Sequence, residues 1–419
     1  MKNLLFVVGV MLFCASFAQE ITFDRPDREY RTGENVTVTV KFPEGDKGKY
    51  RLVYASNAKT LYAEKGNPVK VTFPVPQRKG VNNVLLQQYQ PDGKLRSVGR
   101  WQKFWCDGNT IFPAVKAQGD FLKFWNEILK NTRKKGLDPQ LMLLPKFSKE
   151  GAYKVYKVSL NGPMGRIYGF LNVPEKIQGK APAKMTVCWA GAGWRQIPCR
   201  SDKFIILAMN IHTFDPDNTK EAYETLCAPH RQKYKCRETY MYLGLPERDN
   251  MYYIHGIAGN VLALEWLASL PEVDASRIGY FGTSQGGGFG LFLGGLSDKL
   301  AMILCDVPAM CDHSAYLENR STGFPWYSNR VGKTPQIQKA LSYIDGASFA
   351  PYIKSRIRVL AGEYDEVCYP MNIRAAYNMI PASTDKKFYT QFGGDHSRKK
   401  DIYKNLQKEM DDFLTGKQK

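Results

Sequence analysis

Histidine and long apolar runs are both scarce in this sequence of 419 residues. Its five histidines leave few candidates for any site that needs an imidazole, whether a metal centre or a catalytic base. Beyond the first residues, no apolar segment reaches the roughly 20 residues that a transmembrane helix requires. The hydrophobic fraction of 43% with 24% charged residues is typical of folded globular proteins. The length allows about two or three domains.

Acidic residues are also under-represented, with 40 Asp and Glu against 59 Lys and Arg, which gives a formal net charge of +19. The basic residues are scattered and no nucleic-acid-binding motif accompanies them, so we expect no nucleic-acid partner. A positive field favours acidic glycans or lipid headgroups through long-range steering. A generally basic, soluble surface explains the charge equally well.

The first 18 residues have the layout of a secretory signal. One lysine precedes the apolar run 4–13, and small residues follow as far as Ala18, after which we expect cleavage. Cys14 raises the alternative of a lipoprotein, but Phe13 stands where a small residue would precede a lipidated cysteine. The mature chain is therefore expected in a periplasm or outside the cell, without an integral membrane segment.

Export permits disulfide bonds, and eight cysteines follow the signal segment. Cys227 and Cys236 lie in one polar stretch and are the first pair to test. Most of the eight are nevertheless expected to be buried thiols that pack as small apolar side chains.

From residue 19 to residue 106, short β-strand patterns alternate with turn residues. Residues 36–40 alternate strictly between apolar and polar side chains, which is typical of a strand with one buried face. Gly33, Gly45 and the Pro91-Asp92-Gly93 segment supply turns. We expect an immunoglobulin-like β-sandwich here, without candidate catalytic residues.

Residues 107–419 show a different pattern, in which apolar strands alternate with helices. Asp120 is expected to cap a helix that begins at Phe121, and Asn161-Gly162 is expected to join two strands of a hairpin. Further strands are predicted at 185–190, 204–209, 277–281, 301–306, 357–361 and 387–390. The clearest helices are predicted at 250–270, 286–296 and about 399–414. Buried strands between helices indicate an α/β fold with a mostly parallel central sheet.

The strongest motif is Gly282-Thr283-Ser284-Gln285-Gly286, between a predicted buried strand and a predicted helix. It matches G-x-S-x-G, the nucleophile elbow of α/β-hydrolases, in which glycines allow a sharp, strained turn that exposes the serine hydroxyl. The following helix N-terminus, with the backbone N–H of Gln285, can stabilise an oxyanion. We therefore predict Ser284 as a nucleophile and Gln285 as an oxyanion donor.

A serine hydroxyl needs a base to take its proton. In α/β-hydrolases an acid and then a histidine follow the serine along the chain, which leaves His313 and His396. His396 lies in a glycine-bearing loop after the last predicted strand, so we predict it as the base. His313 follows an earlier strand and is expected to be structural.

The acid is expected after strand 357–361, where Glu363, Asp365 and Glu366 compete. We favour Asp365 because it lies within the loop, from which a carboxylate can reach the far imidazole nitrogen. Glu363 is the first alternative, and Asp306 is a less favoured one.

The glycine-rich segment 191–195 follows the strand predicted at 185–190. Ala192 is the predicted second oxyanion donor, with an ordinary tight turn as the alternative. Aromatic or basic residues on loops of the same edge can stack on or orient a sugar, although a packing role is equally expected for each. These residues are Trp194, Arg195, Trp326 and Tyr327. Nothing in the sequence requires a metal or an organic cofactor.

Residues 246–311, with Asp312, include LASLPEVDASRIG, GTSQGGG and CDVPAMCD, and this segment resembles the acetyl xylan esterase and cephalosporin C deacetylase family, carbohydrate esterase family seven. Further similar segments are 120–125, 362–370 and 394–396. The likeness extends from residue 120 almost to the C-terminus. It implies an α/β-hydrolase that deacetylates short acylated sugars with Ser284, Asp365 and His396.

The sequence departs from that family at four places. Ala190-Gly191-Ala192 stands where the family usually has His-Gly-Tyr for its oxyanion hole, and the Arg-Gly-Gln-Gly segment is replaced near 210–214. Ser397 stands where a glutamate commonly follows the histidine, and the N-terminal sandwich is additional. The triad residues are present, whereas these changes bear on the substrate, the pocket shape and the ring-like oligomer of the family.

Together these features predict an exported serine esterase that removes acetyl groups from a glycan through an acyl-enzyme. A prolyl-oligopeptidase-type peptidase shares the elbow, but the region before residue 107 is too short for its N-terminal propeller. The sequence also allows a pectin-type methylesterase, or a glycan-binding protein with a degenerate hydrolase site. It is compatible with an oligomer.

Overall fold

The computed structural model describes residues 19–54, 57–188, 197–397 and 400–417. Contacts between Cα atoms divide the chain into two compact units, one ending at Gly108 and the other beginning at Asn109. Across the described ranges, none of the helices combines the length and apolar character needed to cross a membrane.

The N-terminal unit is a β-sandwich. Its strands are β1 (Glu20–Phe23), β2 (Glu29–Tyr30), β3 (Asn35–Lys41), β4 (Lys49–Tyr54), β5 (Asn57–Tyr62), β6 (Val69–Pro74), β7 (Gly80–Tyr89) and β8 (Leu95–Cys106). One sheet has the order β1-β3-β6 and the other β2-β8-β7-β4-β5. Apolar side chains of both sheets share one core, in which Val38, Phe73, Leu52 and Leu86 are almost fully buried. The β-sandwich predicted from strand alternation is confirmed.

The second unit is built on a sheet with nine strands among the described residues. They are β9 (Gln140–Leu143), β10 (Tyr153–Gly162), β11 (Gly165–Pro174), β12 (Ala181–Val187), β13 (Ile205–Met209), β14 (Val273–Thr283), β15 (Met302–Asp306), β16 (Arg356–Gly362) and β17 (Lys386–Gln391). The spatial order is β17-β16-β15-β14-β12-β13-β11-β10-β9. All pairings from β17 to β13 are parallel, and those from β13 to β9 are antiparallel. The predicted mostly parallel sheet is confirmed, so the ends of β14 to β17 share one edge.

Helices cover both faces of this sheet. They are α1 (Phe121–Lys134), α2 (Thr219–Cys227), α3 (Arg231–Tyr234), α4 (Tyr252–Ser269), α5 (Gln285–Leu296), α6 (Tyr327–Arg330), α7 (Pro335–Leu341), α8 (Gly346–Phe349), α9 (Pro370–Asn378) and α10 (Lys400–Leu414). The larger core includes residues of α1, α4 and α5, whereas Met410 and Leu414 of α10 pack with Leu304 and Leu360 in a separate cluster. Because α4 and α5 lie within the larger core, they are apolar on nearly all sides.

Two local expectations are corrected. The hairpin turn is Pro163-Met164, because β10 continues through Gly162, which pairs with Gly165. A Cβ at Gly162 would lie 2.8 Å from Cε1 of His255, so the close approach of that ring explains this glycine. Asp120 makes no capping hydrogen bond, since its carboxylate accepts from the hydroxyl of Tyr343 and from Arg248 instead.

The cysteines of the described ranges are free thiols. Cys227 and Cys236, the first pair considered for a disulfide, are not bonded to each other. Thr239 donates to the backbone oxygen of Cys227, and the Cys236 thiol donates to the backbone oxygen of Glu238. The buried thiols, as expected for most of the set, are Cys106, Cys227, Cys305, Cys311 and Cys368.

Helix α1 offers a direct test of the packing of the second unit. Trp125 is fully buried, and its indole N–H donates to the backbone oxygen of Tyr343 at 3.2 Å. Trp125→Ala is expected to lower the free energy of unfolding of this unit by about 3–5 kcal/mol, because it opens a cavity and removes that bond. Leu122→Ala, on the exposed side of the same helix, is the control and should change it by about 0.5 kcal/mol or less. Urea denaturation measures both, and equal effects would contradict the packing described.

Candidate active site

Ser284 lies in a sharp turn between the end of β14 and the start of α5. Its backbone has φ 57° and ψ −120°, a conformation that costs a non-glycine residue about 1–3 kcal/mol. The surrounding backbone holds it there: its N–H donates to the oxygen of Asp306 at 2.9 Å, and its own oxygen accepts from Gly288 and Ala309. The predicted strand-turn-helix context of the motif is therefore present.

Two glycines make this turn sterically possible. A Cβ at Gly282 would lie 2.4 Å from the backbone oxygen of Gly286. A Cβ at Gly286 would lie 2.4 Å from the backbone oxygen of Val187 at the end of β12. Helix α5 thus approaches the sheet so closely that neither position has room for a side chain.

The side chains of Ser284, His396 and Asp365 form a hydrogen-bonded chain. The Nε2 atom of His396 is 3.1 Å from the Oγ of Ser284, and its Nδ1 is 2.9 Å from an Oδ of Asp365. Because a carboxylate accepts and does not donate, Nδ1 carries the ring proton and Nε2 accepts from the serine hydroxyl. The Asp365 side chain is 0% exposed and that of His396 is 33% exposed, so the carboxylate is shielded from solvent while the imidazole is partly open to it.

The environment favours the protonated imidazole. The hydrogen bond to Asp365 raises the pKa of His396 above its ordinary value of 6.5, against the burial of the ring, which lowers it. Carboxylate charges at Asp365, Asp306 and Asp395 act in the same direction as the hydrogen bond. The site therefore stabilises the imidazolium that forms when the histidine accepts a proton.

Asp365 and Glu363, the first two candidates for the acid, have different hydrogen-bond partners. Asp365 is fixed toward His396 because its other oxygen accepts the backbone N–H groups of Val367 and Cys368, both at 2.8 Å. Glu363 points to the backbone N–H of Gly393 instead, and so holds the loop that carries the histidine.

Asp306 joins the ends of two strands. Its oxygens accept from the hydroxyl of Thr283 at 3.0 Å and from the side-chain amide of Gln391 at 3.2 Å. This buried carboxylate therefore ties the end of β14 to the end of β17 below the serine and histidine loops.

Gln285 begins α5, whose first-turn N–H groups have no partners within the helix. Its side chain is held at both ends: the hydroxyl of Tyr240 donates to its Oε1, and its Nε2 donates to the hydroxyl of Tyr253, each at 2.9 Å. Both tyrosines are almost fully buried, so the residue after the serine is clamped from two sides. Ala192, predicted as the second oxyanion donor, lies outside the described residues.

A cysteine thiol lies beside the serine and histidine. Ligand atoms of Asp365, Cys368 and His396 lie within 4.8 Å of one another, a set of types that can bind a metal ion. The histidine and aspartate atoms of this set already bond to each other, so a metal here would displace that contact. Burial, reinforced by the charge of Asp365, raises the pKa of Cys368 well above its ordinary value, so its thiol stays protonated and is a weak nucleophile.

Of the four residues predicted to contact a sugar, Trp326 and Tyr327 lie within the described ranges and differ in their burial. Trp326 is half-buried, in a loop where the N–H of Phe324 donates to the backbone oxygen of Val367 at 2.7 Å, so it lies close to the segment that holds Asp365. Tyr327 is 1% exposed, and its hydroxyl donates to the backbone oxygen of Met241, so it is a core side chain and not a sugar contact. The two other predicted contacts, Trp194 and Arg195, lie outside the described residues.

The remaining histidines do not reach the serine through the described contacts. His313 is buried with its ring edge-on to Tyr327, as expected for a structural histidine. His212 is buried among tyrosines, with Nδ1 3.0 Å from the hydroxyl of Tyr252, and His255 is buried within α4.

Sequence reasoning missed Tyr240, Tyr253 and the supporting role of Glu363. The tyrosines are 45 and 32 residues from Gln285 along the chain, and no spacing pattern links them to the motif. From the sequence alone, Glu363 is considered only as a candidate for the triad acid. Its position one residue after β16 could have indicated that it supports a neighbouring loop at the same sheet edge.

Known proteins resemble this chain over most of its length. Residues 109–409 match a family described as acetyl xylan esterase (AXE1). The acetyl esterase Axe7A of Xylanibacter ruminicola is 28% identical over 372 residues, which cover 84% of this chain and 81% of that protein.

Two solved structures share the fold. An acetyl xylan esterase from Paenibacillus sp. R4 superposes with a TM-score of 0.60 at 24% identity, covering 73% of this chain and 98% of that one. Acetyl xylan esterase 1 from Thermoanaerobacterium sp. JW/SL YS485 has a TM-score of 0.58 at 20% identity, covering 72% and 96%. The predicted α/β-hydrolase fold and the family resemblance are confirmed. Since the family match spans well over half of its length, the chain belongs to the acetyl xylan esterase (AXE1) family and is a carboxylic ester hydrolase.

Proposed function

We propose that this protein removes acetyl groups from acylated sugars or glycans, with Ser284 as nucleophile, His396 as general base and acid, and Asp365 as the residue that orients the imidazole. The observation that carries the proposal is the continuous hydrogen-bonded chain from Asp365 through His396 to Ser284, at 2.9 and 3.1 Å. This set of hydrogen bonds ends at the strained turn that presents the Ser284 hydroxyl at the sheet edge.

In the first half of the reaction, the Oγ of Ser284 bonds to the acetyl carbonyl carbon while its proton passes to Nε2 of His396. Negative charge develops on the carbonyl oxygen, and we assign its stabilisation to the backbone N–H of Gln285 at the positive end of α5. The carbon–oxygen bond to the sugar then breaks, and the imidazolium returns the proton to the departing sugar oxygen. An acetylated serine and a free sugar hydroxyl result.

In the second half, His396 takes a proton from a water molecule, whose oxygen bonds to the same carbonyl carbon. The bond between the carbonyl carbon and the Oγ of Ser284 then breaks while Nε2 returns the proton to Oγ. Acetate is released and the serine hydroxyl is restored. Through both steps the Asp365 carboxylate accepts a hydrogen bond from the Nδ1–H of His396, and its two backbone N–H contacts prevent it from turning away.

The substrate class follows from the family and from Axe7A, which is named as an acetyl esterase. Export is also part of the proposal, since the layout of residues 1–18 is that of a cleaved signal and a polymeric glycan is met outside the cytoplasm. A methylesterase would release methanol in place of acetate, so product analysis separates the two reactions.

Replacing the nucleophile tests the mechanism. Ser284→Ala is expected to lower kcat on an aryl acetate and on acetylated xylan by about four orders of magnitude or more, because no acyl-enzyme can form. Ser383→Ala, at an exposed serine, is the control and should leave kcat unchanged. Fluorophosphonate labelling of the wild type but not of the Ser284 variant checks that the same hydroxyl reacts. Acetate release that survives the substitution would refute the proposal.

The pH profile tests the pairing of His396 with Asp365. The base acts when neutral, so kcat/KM should fall as the pH drops through a pKa above 6.5. Asp365→Asn removes the hydrogen-bonded charge that raises this pKa, so the acid limb should move to lower pH while kcat drops by about 10⁴.

Asp395→Asn is the matched control, because it removes a nearby charge that is not hydrogen-bonded to the imidazole in the described contacts. Its acid limb should move much less than that of the Asp365 variant. NMR titration of the imidazole gives the same comparison independently of turnover. Equal shifts in the two variants would argue against Asp365 as the orienting residue.

The tyrosine clamp on Gln285 is tested by Tyr253→Phe. Loss of one hydrogen bond, about 0.5–1.5 kcal/mol, should lower kcat roughly 2- to 10-fold with little change in KM or in the pH profile, because the oxyanion donor becomes less fixed. Tyr252→Phe, which removes a neighbouring buried hydroxyl that contacts His212, is the control and should stay within about twofold. If the contact between Tyr253 and Gln285 had no role in catalysis, the Tyr253→Phe and Tyr252→Phe variants would have similar kcat.

A further inference from the structure

The charge on the larger sheet of the N-terminal unit is mostly of one sign, and its acidic strand residue is Glu29 on the edge strand β2. Strands β4, β5, β7 and β8 contain no aspartate or glutamate. Their charged residues are Lys49, Arg51, Lys59, Arg96, Arg100 and Lys103. These four strands therefore give the sheet a positive potential.

One row of side chains across the outer face combines aromatic rings with a cation. Tyr50 and Leu52 of β4 point into the sandwich core, so Lys49 and Arg51 point outward. Lys49 pairs with Tyr62 of β5, and its Nζ lies 5.8 Å from that ring centre and 4.6 Å from the ring centre of Tyr89 on β7.

Tyr62 is 37% exposed, and Lys65 places a second ammonium 4.7 Å from its ring centre. In the described part of the unit, neither Lys49 nor Arg51 forms an ion pair with a carboxylate. These cations are therefore held near the sheet by aromatic rings and strand geometry, and their charge is available to a ligand.

The next row consists of hydrogen-bonding groups. Thr60, Arg51, Gln87 and Ser97 are opposite one another on β5, β4, β7 and β8. Neighbouring strands are about 4.8 Å apart and alternate residues on a strand about 6.6–7 Å apart, so both rows fit on one small surface. A guanidinium there can take a carboxylate through two parallel hydrogen bonds, and the flanking amide and hydroxyls suit the hydroxyls of a sugar.

We propose that this surface, Lys49, Arg51, Thr60, Tyr62, Gln87 and Tyr89, binds an acidic glycan, a polysaccharide in which some sugars carry carboxylates. Its cations alternate with neutral donors and acceptors, which matches a chain with occasional charges. A nucleic acid presents a phosphate at every nucleotide and calls for a denser basic stripe. The surface belongs to the N-terminal unit and Ser284 to the second unit, so the surface would hold polymer while the esterase acts on it.

The test measures binding by the full chain carrying Ser284→Ala, which prevents hydrolysis during the measurement. The probes are a xylan bearing uronic acids and the same xylan after chemical reduction of its carboxyl groups. We expect the acidic form to bind, with affinity falling as salt is added, and the reduced form to bind at least about tenfold more weakly.

Lys49→Gln with Arg51→Gln should weaken binding of the acidic xylan by about tenfold or more, as should Tyr62→Ala. Lys41→Gln with Lys70→Gln is the matched control, because it removes two exposed charges from the smaller sheet and should stay within about twofold. The same surface substitutions, made in the chain that retains Ser284, should leave turnover of an aryl acetate at the wild-type level. This result separates the binding proposal from the esterase mechanism.

Equal binding of acidic and reduced xylan, or equal losses in the Lys49/Arg51 and Lys41/Lys70 variants, would overturn the proposal. So would tighter binding of a single-stranded oligonucleotide or of anionic phospholipid vesicles that the Lys49/Arg51 variant abolishes, since the surface would then serve another class of partner. Unchanged thermal unfolding of each variant establishes that the losses come from the surface.

Discussion

The backbone conformation of Ser284 is the constraint on which the rest of the site depends. It persists because α5 is pressed against β12 and β14 so tightly that Gly282 and Gly286 leave no space for side chains. The surrounding hydrogen bonds from the ends of β15 and the loop after it fix the turn on its other side. The strain is about 1–3 kcal/mol, small against the packing of a helix whose central residues are buried almost throughout. The hydroxyl is therefore positioned before any substrate arrives.

Much of this arrangement could be predicted from the sequence because it is encoded locally. The elbow is a short motif at a strand-to-helix junction. The spacing and number of apolar residues predict the strand before it and the helix after it. His396 could be selected because few histidines exist and only two follow the serine. The place of Asp365 in a loop favours it among several carboxylates, and it is the one in contact with His396, while Glu363 and Asp306 bind other partners.

What could not be predicted depends on contacts between distant segments. No pattern in the sequence indicates that Tyr240 and Tyr253 meet at Gln285, or that Tyr327 turns into the core although it follows a half-exposed Trp326. The predicted position of the hairpin turn is wrong for a related reason. Asn161-Gly162 has the composition of a tight turn, but its glycine is needed for the approach of His255, a residue on another element.

The loop that carries Trp326 and the loop that carries Asp365 meet at one residue. Val367 accepts the N–H of Phe324 with its oxygen, and donates its own N–H to the Asp365 carboxylate. The Trp326 loop is therefore connected to the Asp365 carboxylate through Val367 and its two hydrogen bonds. A displacement of this loop moves the carboxylate as well. A bulky group that pushes this loop outward would tilt the carboxylate and misalign the imidazole. An ester that displaced the Trp326 loop would then be turned over more slowly, with a smaller effect on the strength of its binding.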